Sequence, residues 1–403
     1  MKDSLKKNVF FNPLLKSILD FFREIKFFII KMLLLSFRVF KVKNNRILVV
    51  SYYGKGFGDN CKYVISELLK DRKSFEIYWA VSDMNESFPD GILKVKLDSL
   101  LYFYILATSK IWLDNARKSI YIIKRPNQVY FQLWHGCLPI KKVEFDAIDR
   151  LNKFYIKAAI KDNKMINYIV SNSRFCSDVL FRKSFKYKNC ILEYGSPRED
   201  ILFNKNYDIV LKVKEAFSIS PNKKILLYAP TFRNNYCNQY DIDYDRLISI
   251  LKKQTNHDWI ILFRLHPNVS SKTEDYNIVF NDDLINASDY NDVQELIVSS
   301  DLVITDYSSL MFDSMLASIP TILYANDFST YGDERGFYFD FSELPFPMFH
   351  NNDELSNFDY NKLVSEMNNK YIKFSNKIGF FKGGNASKKV ANCIKEVINY
   401  EKN

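Results

Sequence analysis

The apolar run Leu302-Val303-Ile304 leads into Thr305-Asp306-Tyr307-Ser308-Ser309, and a helical pattern starts at once with Leu310-Met311-Phe312-Asp313. Few folds can use such a segment. A short apolar run bounded by polar residues reads as a strand buried on both faces, as in a parallel sheet. The polar tip then opens a helix, predicted over 310–317 and closed by Ile319-Pro320. The first turn of a helix carries unpaired N–H groups and partial positive charge. Two hydroxyls beside those donors suit a phosphate or pyrophosphate. The bland alternative is that Ser308 or Ser309 is only an N-cap.

The same pattern recurs along most of the chain. The spacing predicts strands over 46–52, 75–81, 110–114, 128–133, 168–171 and 191–194, with helices between them, notably 61–70 and 173–185. A second series follows Pro221, with strands over 224–228, 259–264, 284–286, 302–305 and 321–324. Strands alternating with helices argue for parallel sheets covered on both faces. The pattern breaks near 196–206, at Gly195-Ser196-Pro197-Arg198. The expected fold is therefore α/β, with two doubly wound Rossmann-type domains facing a cleft and ligands at the carboxyl ends of the strands. The expected divisions are 1–45, 46–200 and 201–403. With 403 residues, 47% of them hydrophobic, there is ample core for two domains of ordinary size.

The net charge of +10 suits nucleic acid, anionic lipid or a phosphorylated substrate. No Arg/Gly-rich segment, zinc-finger spacing or basic–aromatic interleaving favours nucleic acid. The six cysteines are scattered without a C-x-x-C pair, which fits a reducing compartment rather than a disulfide framework or zinc site. The charge is concentrated at the start of the chain. Residues 1–45 are rich in Lys and Arg and contain Phe21-Phe22-Arg23-Glu24-Ile25-Lys26-Phe27-Phe28-Ile29-Ile30-Lys31-Met32-Leu33-Leu34-Leu35. Its uncharged runs fall well short of the ~20 residues that span a bilayer. No small-residue cleavage site follows, so a signal peptide is not expected. A basic amphipathic helix lying on an anionic leaflet is expected instead; an ordinary core helix with a basic outer face is the alternative.

Of four histidines, two stand at strand ends, one in each half: His135 in Trp134-His135-Gly136-Cys137, and His266 in Arg264-Leu265-His266-Pro267. Imidazole titrates near neutrality, so it can take a proton from a hydroxyl or face a phosphate as a cation. Tyr228-Ala229-Pro230-Thr231-Phe232-Arg233 ends another strand with a guanidinium suited to phosphate oxygens, or to a surface ion pair. The loop Gly54-Lys55-Gly56-Phe57-Gly58 lacks the dinucleotide G-x-G-x-x-G spacing. It serves either close approach of a substrate or a strand-to-helix turn.

Trp134-His135-Gly136 with Lys141 and Lys142, Ala229 to Arg233, Arg264 to Pro267, Asp306-Tyr307-Ser308-Ser309 with Asp313, and Arg335-Gly336-Phe337-Tyr338-Phe339-Asp340 occur in that order. So do Asp59-Asn60 with Lys62-Tyr63, Ser171-Asn172-Ser173, Gly195 to Asp200, and Asp289 to Asp292. From about Arg46 to Pro347 the chain resembles the CDP-glycerol glycerophosphotransferases of teichoic acid and capsule synthesis. The resemblance implies a GT-B-like fold with the donor on the C-terminal domain and the acceptor on the N-terminal one. His135 would be general base for an acceptor hydroxyl. His266, a second catalytic candidate, would lie with Arg233, Thr231, Asp306, Ser308 and Ser309 at the donor pyrophosphate; Arg335 would contact the donor or order the loop that follows it; Trp134, Gly136, Lys141 and Lys142 would serve the acceptor side.

The implied reaction is attack of a lipid-linked or oligosaccharide alcohol on the donor phosphorus, with loss of CMP. The expected donor is CDP-glycerol or a related CDP-polyol. No Asp-x-Asp pattern suits Mg²⁺, so neither metal nor cofactor is expected. The expected location is the cytoplasmic face of a bacterial membrane, peripherally bound. Polymerising members often carry a large extra N-terminal domain, whereas a short basic segment is what is expected ahead of Arg46 here. The loop Cys137-Leu138-Pro139-Ile140 is of a variable kind. Primase, capsule polymerase subunit and ribitol-phosphate transferase therefore remain open. A GT-B glycosyltransferase using a nucleotide sugar is the alternative enzyme, and a non-catalytic membrane scaffold the alternative without chemistry.

Overall fold

The structure is a computed structural model that describes residues 13–71, 75–136, 138–204, 207–231, 240–265, 278–328 and 336–400. Two parallel sheets organise these residues. The first contains β1 (Lys43–Val50), β2 (Glu76–Val81), β3 (Ile92–Lys96), β4 (Ser109–Asp114), β5 (Val129–Gln132), β6 (Tyr168–Val170) and β7 (Cys190–Leu192). Its order is β3-β2-β1-β4-β5-β6-β7. The second contains β8 (Lys224–Tyr228), β9 (Trp259–Phe263), β10 (Leu284–Asn286), β11 (Leu302–Thr305), β12 (Thr321–Tyr324) and β13 (Met348–Phe349), in the order β10-β9-β8-β11-β12-β13.

Each sheet is doubly wound. β1 lies between β2 and β4, and β8 between β9 and β11, so the winding direction reverses at β1/β4 and at β8/β11. At such a reversal the following helices diverge to opposite faces and leave a crevice beyond the strand ends. The residues that follow β1, β4, β8 and β11 are therefore placed by topology to form a site. Strands β4, β9, β11 and β12 are buried along their whole length, as in a sheet covered on both faces.

The chain ends by crossing back. Helix Tyr360–Ile378 packs on the second domain, where Phe374 stacks on Phe312 at 5.7 Å. Gly379, at φ +69°, stops it. Helix Ala386–Tyr400 then packs on helix Asp59–Leu69 of the first domain, with Val390, Ala391, Ile394 and Ile398 in one core with Val64, Ile65 and Leu68. A division at 201–403 groups this last helix with the second sheet, whereas it is built into the first. The cause is visible in Asp200: its carboxylate accepts from the Ala386 and Ser387 backbone N–H groups and from the Ser387 hydroxyl, and so caps the helix from the linker.

At the other end, helix Pro13–Ser36 lies along the first domain. Ile30 and Leu34 are buried, and Phe27 stacks on Phe154 at 5.7 Å. Ile18, Phe21, Phe22, Ile25, Phe28, Ile29 and Met32 remain exposed. Their spacing puts them on one stripe opposite the docked face. Among the described residues no helix is long and apolar enough to cross a membrane.

Candidate active site

The strand ends of the first sheet converge on His135. β5 ends at Gln132, whose side chain oxygen accepts from the Trp134 N–H, so the chain turns sharply and Trp134 takes φ +53°. Tyr52 and Tyr53, just past β1, and Asp59 beyond them also have positive φ. Non-glycine residues pay for that conformation, and a cluster of them beside one crevice marks a backbone fixed by its surroundings.

The His135 ring lies 4.4 Å from the Trp134 ring, centroid to centroid, and 5.6 Å from Tyr52. Its Nδ1 is 2.6 Å from the Asn115 carbonyl oxygen. A carbonyl only accepts, so Nδ1 carries the proton and Nε2 keeps its lone pair. Burial pushes the imidazole below its ordinary range, which the Asn115 contact and Asp59 oppose only in part. A neutral ring with a fixed tautomer and a free basic nitrogen is what a general base needs.

Asn115 is held in turn. Its Nδ2 donates to the Asp59 carboxylate at 3.0 Å, and its Oδ1 accepts from the Tyr52 N–H. Burial raises the Asp59 carboxyl, but Arg198 and bonds from Asn115 and the Asn60 N–H outweigh it and hold it below the usual range. Asn60 donates to the Leu133 and Trp134 carbonyls, pinning the same turn. Under Trp134 lies the Arg117 guanidinium, 5.4 Å from the ring and paired with buried Glu144 and Asp162. Burial pushes Asp162 up to about 6 against the pull of Arg117.

In the second sheet, the loops after β8 and β11 are tied together. Thr231 donates through its N–H and hydroxyl to the Asp306 carboxylate, which also accepts from the Tyr307 N–H. Asp306 and Thr231 thus shape the crevice wall. Ser308 accepts from the Leu310 N–H at 3.3 Å, so one of the two hydroxyls does serve as a cap. Ser309 makes no capping bond. Lys141 and Lys142 follow the His135 turn and join the second domain: Lys141 bridges antiparallel to Phe337, and the Lys142 N–H donates to the Gly336 carbonyl. Gly136 is half-buried beside His135. Arg233, His266 and Arg335 lie outside the described residues.

The Gly-rich loop is a turn and a docking edge. Gly54 has φ +87°, and a Cβ there would stand 2.9 Å from the Ser82 nitrogen. A Cβ on Gly58 would stand 3.2 Å from the Asn291 carbonyl oxygen of the second domain. Beside it Lys62 pairs with Asp292 at 2.5 Å and Glu295 at 2.9 Å.

Sequence reasoning gave no role to Asn115, Asp59, Asn60 or Arg198. Asn115 directly follows Asp114, the last residue of β4, so the rule that sites form at carboxyl ends was the available signal.

Comparison with known proteins identifies the family. The profile of the family described as CDP-glycerol:poly(glycerophosphate) glycerophosphotransferase matches residues 31–396. A teichoic acid poly(glycerol phosphate) polymerase of Bacillus spizizenii strain W23 is 30% identical over 365 residues, covering 86% of this chain and 91% of that protein. A teichoic acid glycerol-phosphate transferase of Staphylococcus aureus strain NCTC 8325 is 30% identical over 370 residues, covering 87% and 92%. A solved structure of a variant of the wall teichoic acid polymerase TagF soaked with CDPG superposes with a TM-score of 0.78 at 28% identity, covering 90% of this chain and 91% of that one.

Proposed function

This chain belongs to the CDP-glycerol:poly(glycerophosphate) glycerophosphotransferase family, and from that premise we propose that it transfers glycerol phosphate from CDP-glycerol to a hydroxyl of a lipid-linked or oligosaccharide acceptor, in synthesis of a teichoic-acid-type or capsule-type polymer. His135 Nε2 takes the proton of the acceptor hydroxyl. The freed oxygen bonds to the phosphorus that carries glycerol, the bond from that phosphorus to the diphosphate bridging oxygen breaks, and CMP leaves with the electron pair. The observation that supports this reading is the 2.6 Å contact of His135 Nδ1 with the Asn115 carbonyl, which leaves Nε2 as the nitrogen with the lone pair.

The first domain, 46–200, supplies the base and the acceptor side through Trp134, Gly136, Lys141 and Lys142. The second binds the donor at the crevice between β8 and β11, with Thr231 and Asp306 shaping the loops and Ser308 and Ser309 opening the helix behind them. Arg233, His266 and Arg335 complete the donor side on the strength of their motifs. Charge develops on the phosphoryl oxygens and the departing CMP, so hydroxyls, backbone N–H groups and cations are the groups that speed this step. The exposed stripe of helix Pro13–Ser36 rests the enzyme on the cytoplasmic face of an anionic membrane, where a lipid-linked acceptor and a soluble nucleotide donor meet.

The test is CMP release by purified protein given CDP-glycerol or CDP-ribitol with a lipid-linked acceptor. CDP-glycerol should be the better donor. His135→Ala should lose ~10²–10⁴-fold in turnover, the range for a lost general base, with donor affinity kept. No CMP from either donor, or near-normal turnover by folded His135→Ala, would overturn the reading.

A further inference from the structure

The connection between the two sheets passes through Pro197–Glu199, a tight turn closed by reciprocal Ser196 and Glu199 bonds. Arg198 stands in this turn with only 5% of its side chain exposed. It makes three contacts that belong to different parts of the molecule. Nη1 donates to Asp59 at 2.7 Å and to the His135 backbone carbonyl at 3.2 Å. Nη2 donates to Asp313 at 2.8 Å. Asp313 is in helix Leu310–Leu316, the helix that Ser308 and Ser309 open. One guanidinium therefore touches the base's own peptide, the carboxylate that orients the base's partner Asn115, and the helix at the donor side.

The arrangement is costly unless it is needed. Arg198, Asp59 and Asp313 are all buried, and a buried charge is stable only with its partners in place. Asp313 depends on Arg198 more than Asp59 does. Asp59 also receives Asn115, the Asn60 N–H and the Tyr52 hydroxyl, whereas among the described residues only the Gln294 amide adds to Arg198 at Asp313, whose Oδ1 has no partner among them. The linker is pinned to the His135 turn a second time, since Asn60 Oδ1 accepts from the Arg198 N–H at 2.9 Å while Asn60 Nδ2 donates to the Trp134 carbonyl. If the second domain shifts away, Asp313 leaves the fork and the guanidinium loses the direction that holds it against the His135 carbonyl.

We propose that Arg198 is a positioning residue that makes the placement of His135 depend on the seating of the second domain, through Asp313. The base is then in line only when the donor-side helix is docked. A fork is needed, because two separate nitrogens, Nη1 and Nη2, reach the carboxylates of the two domains, and an ammonium has one nitrogen. This inference rests on the reading of His135 as general base, and His135→Ala is therefore the control in the same assay.

The experiment compares Arg198→Lys and Arg198→Gln with the wild-type enzyme, reading kcat, donor affinity and the pH profile of kcat/KM. Arg198→Lys keeps the charge and loses the fork. Its kcat should fall roughly tenfold or more, on the scale of the ~10²-fold that a small misplacement of a catalytic group costs. Its donor affinity and the acid limb of its profile should stay at wild-type values. Arg198→Gln also removes the cation beside the imidazole, so its acid limb should move to higher pH. Wild-type kcat in Arg198→Lys overturns the proposal, and so does an unshifted limb in a folded Arg198→Gln. If Arg198→Gln does not fold, the kcat of Arg198→Lys decides alone. An active His135→Ala would instead refute the base assignment.

Discussion

Replacing Phe21 and Phe28 together by Ser should detach the enzyme from anionic vesicles without unfolding it. Both rings stand on the outer stripe of helix Pro13–Ser36, 63% and 65% exposed, while Ile30 and Leu34 hold the other face to the domain. Full burial of a Phe side chain is worth ~1.5–3 kcal/mol, so the exposed two-thirds of each ring has ~1–2 kcal/mol to gain from an acyl layer. Losing both removes ~2–4 kcal/mol, or roughly 30- to 700-fold in partitioning at ~1.4 kcal/mol per tenfold. The helical step places Lys26 and Lys31 at the borders of the stripe, and each contributes ~1 kcal/mol near an anionic surface in a salt-dependent way. Co-sedimentation with phosphatidylglycerol-containing vesicles at low salt reads the effect. Turnover on a soluble acceptor analogue should be unchanged and turnover on vesicle-borne acceptor should drop. Leu34→Ser, on the buried face, should instead lower the unfolding midpoint, by the ~2–5 kcal/mol scale of a core truncation. Equal pelleting of wild type and the double Ser variant would refute the assignment of the stripe to a membrane.

Two further outcomes follow from the site. Burial holds His135 below its ordinary range, and in the proposed mechanism the neutral ring is the active form. Activity should therefore persist down to a limb below pH 6.5 and be lost as pH falls through it; a kcat/KM profile with its acid limb above 6.5 would contradict this. Ser309→Ala should weaken binding of CDP-glycerol more than binding of CMP, which lacks the second phosphate, by calorimetry. Ser309 makes no capping bond, so the melting temperature should hold, whereas Ser308→Ala also gives up a cap worth ~1 kcal/mol.

The periodic signals in the sequence carried far. β8, β10, β11 and β12 occupy the spans expected for them, and β8, β11 and β12 do so as largely buried apolar runs. The others differ by a residue or a few at their ends. β3, Ile92–Lys96, was missed: it is an edge strand in which lysines alternate with apolar residues, and so it imitates a solvated loop. β13 has two residues and no periodicity to detect. The helix expected over 173–185 is present at Cys176–Ser184, but in a wider winding, with the Phe185 N–H reaching back to the Leu180 carbonyl.

The site was legible to the depth of one strand end at a time. His135 could be placed at the end of β5 from its own neighbours in sequence. Its partner Asn115 is 20 residues away and becomes adjacent only because β4 and β5 pair in register, with Asp114 beside Gln132. Strand order is set by how helices cover the two faces, and local periodicity does not encode it. The same limit hid Arg198. In the sequence it is one cation in the turn motif Gly195 to Asp200, and that motif says nothing of which carboxylates it meets. Its meaning comes from having partners on both domains at once, Asp59 139 residues away and Asp313 115 residues away. Gly58 makes the same point without charge. Its backbone is extended at φ −159° and would accept any residue, so conformational freedom does not explain a glycine there. The space taken by Asn291 of the other domain does. Residues that serve the junction between domains look ordinary within either one, and the chemistry proposed here takes place at that junction.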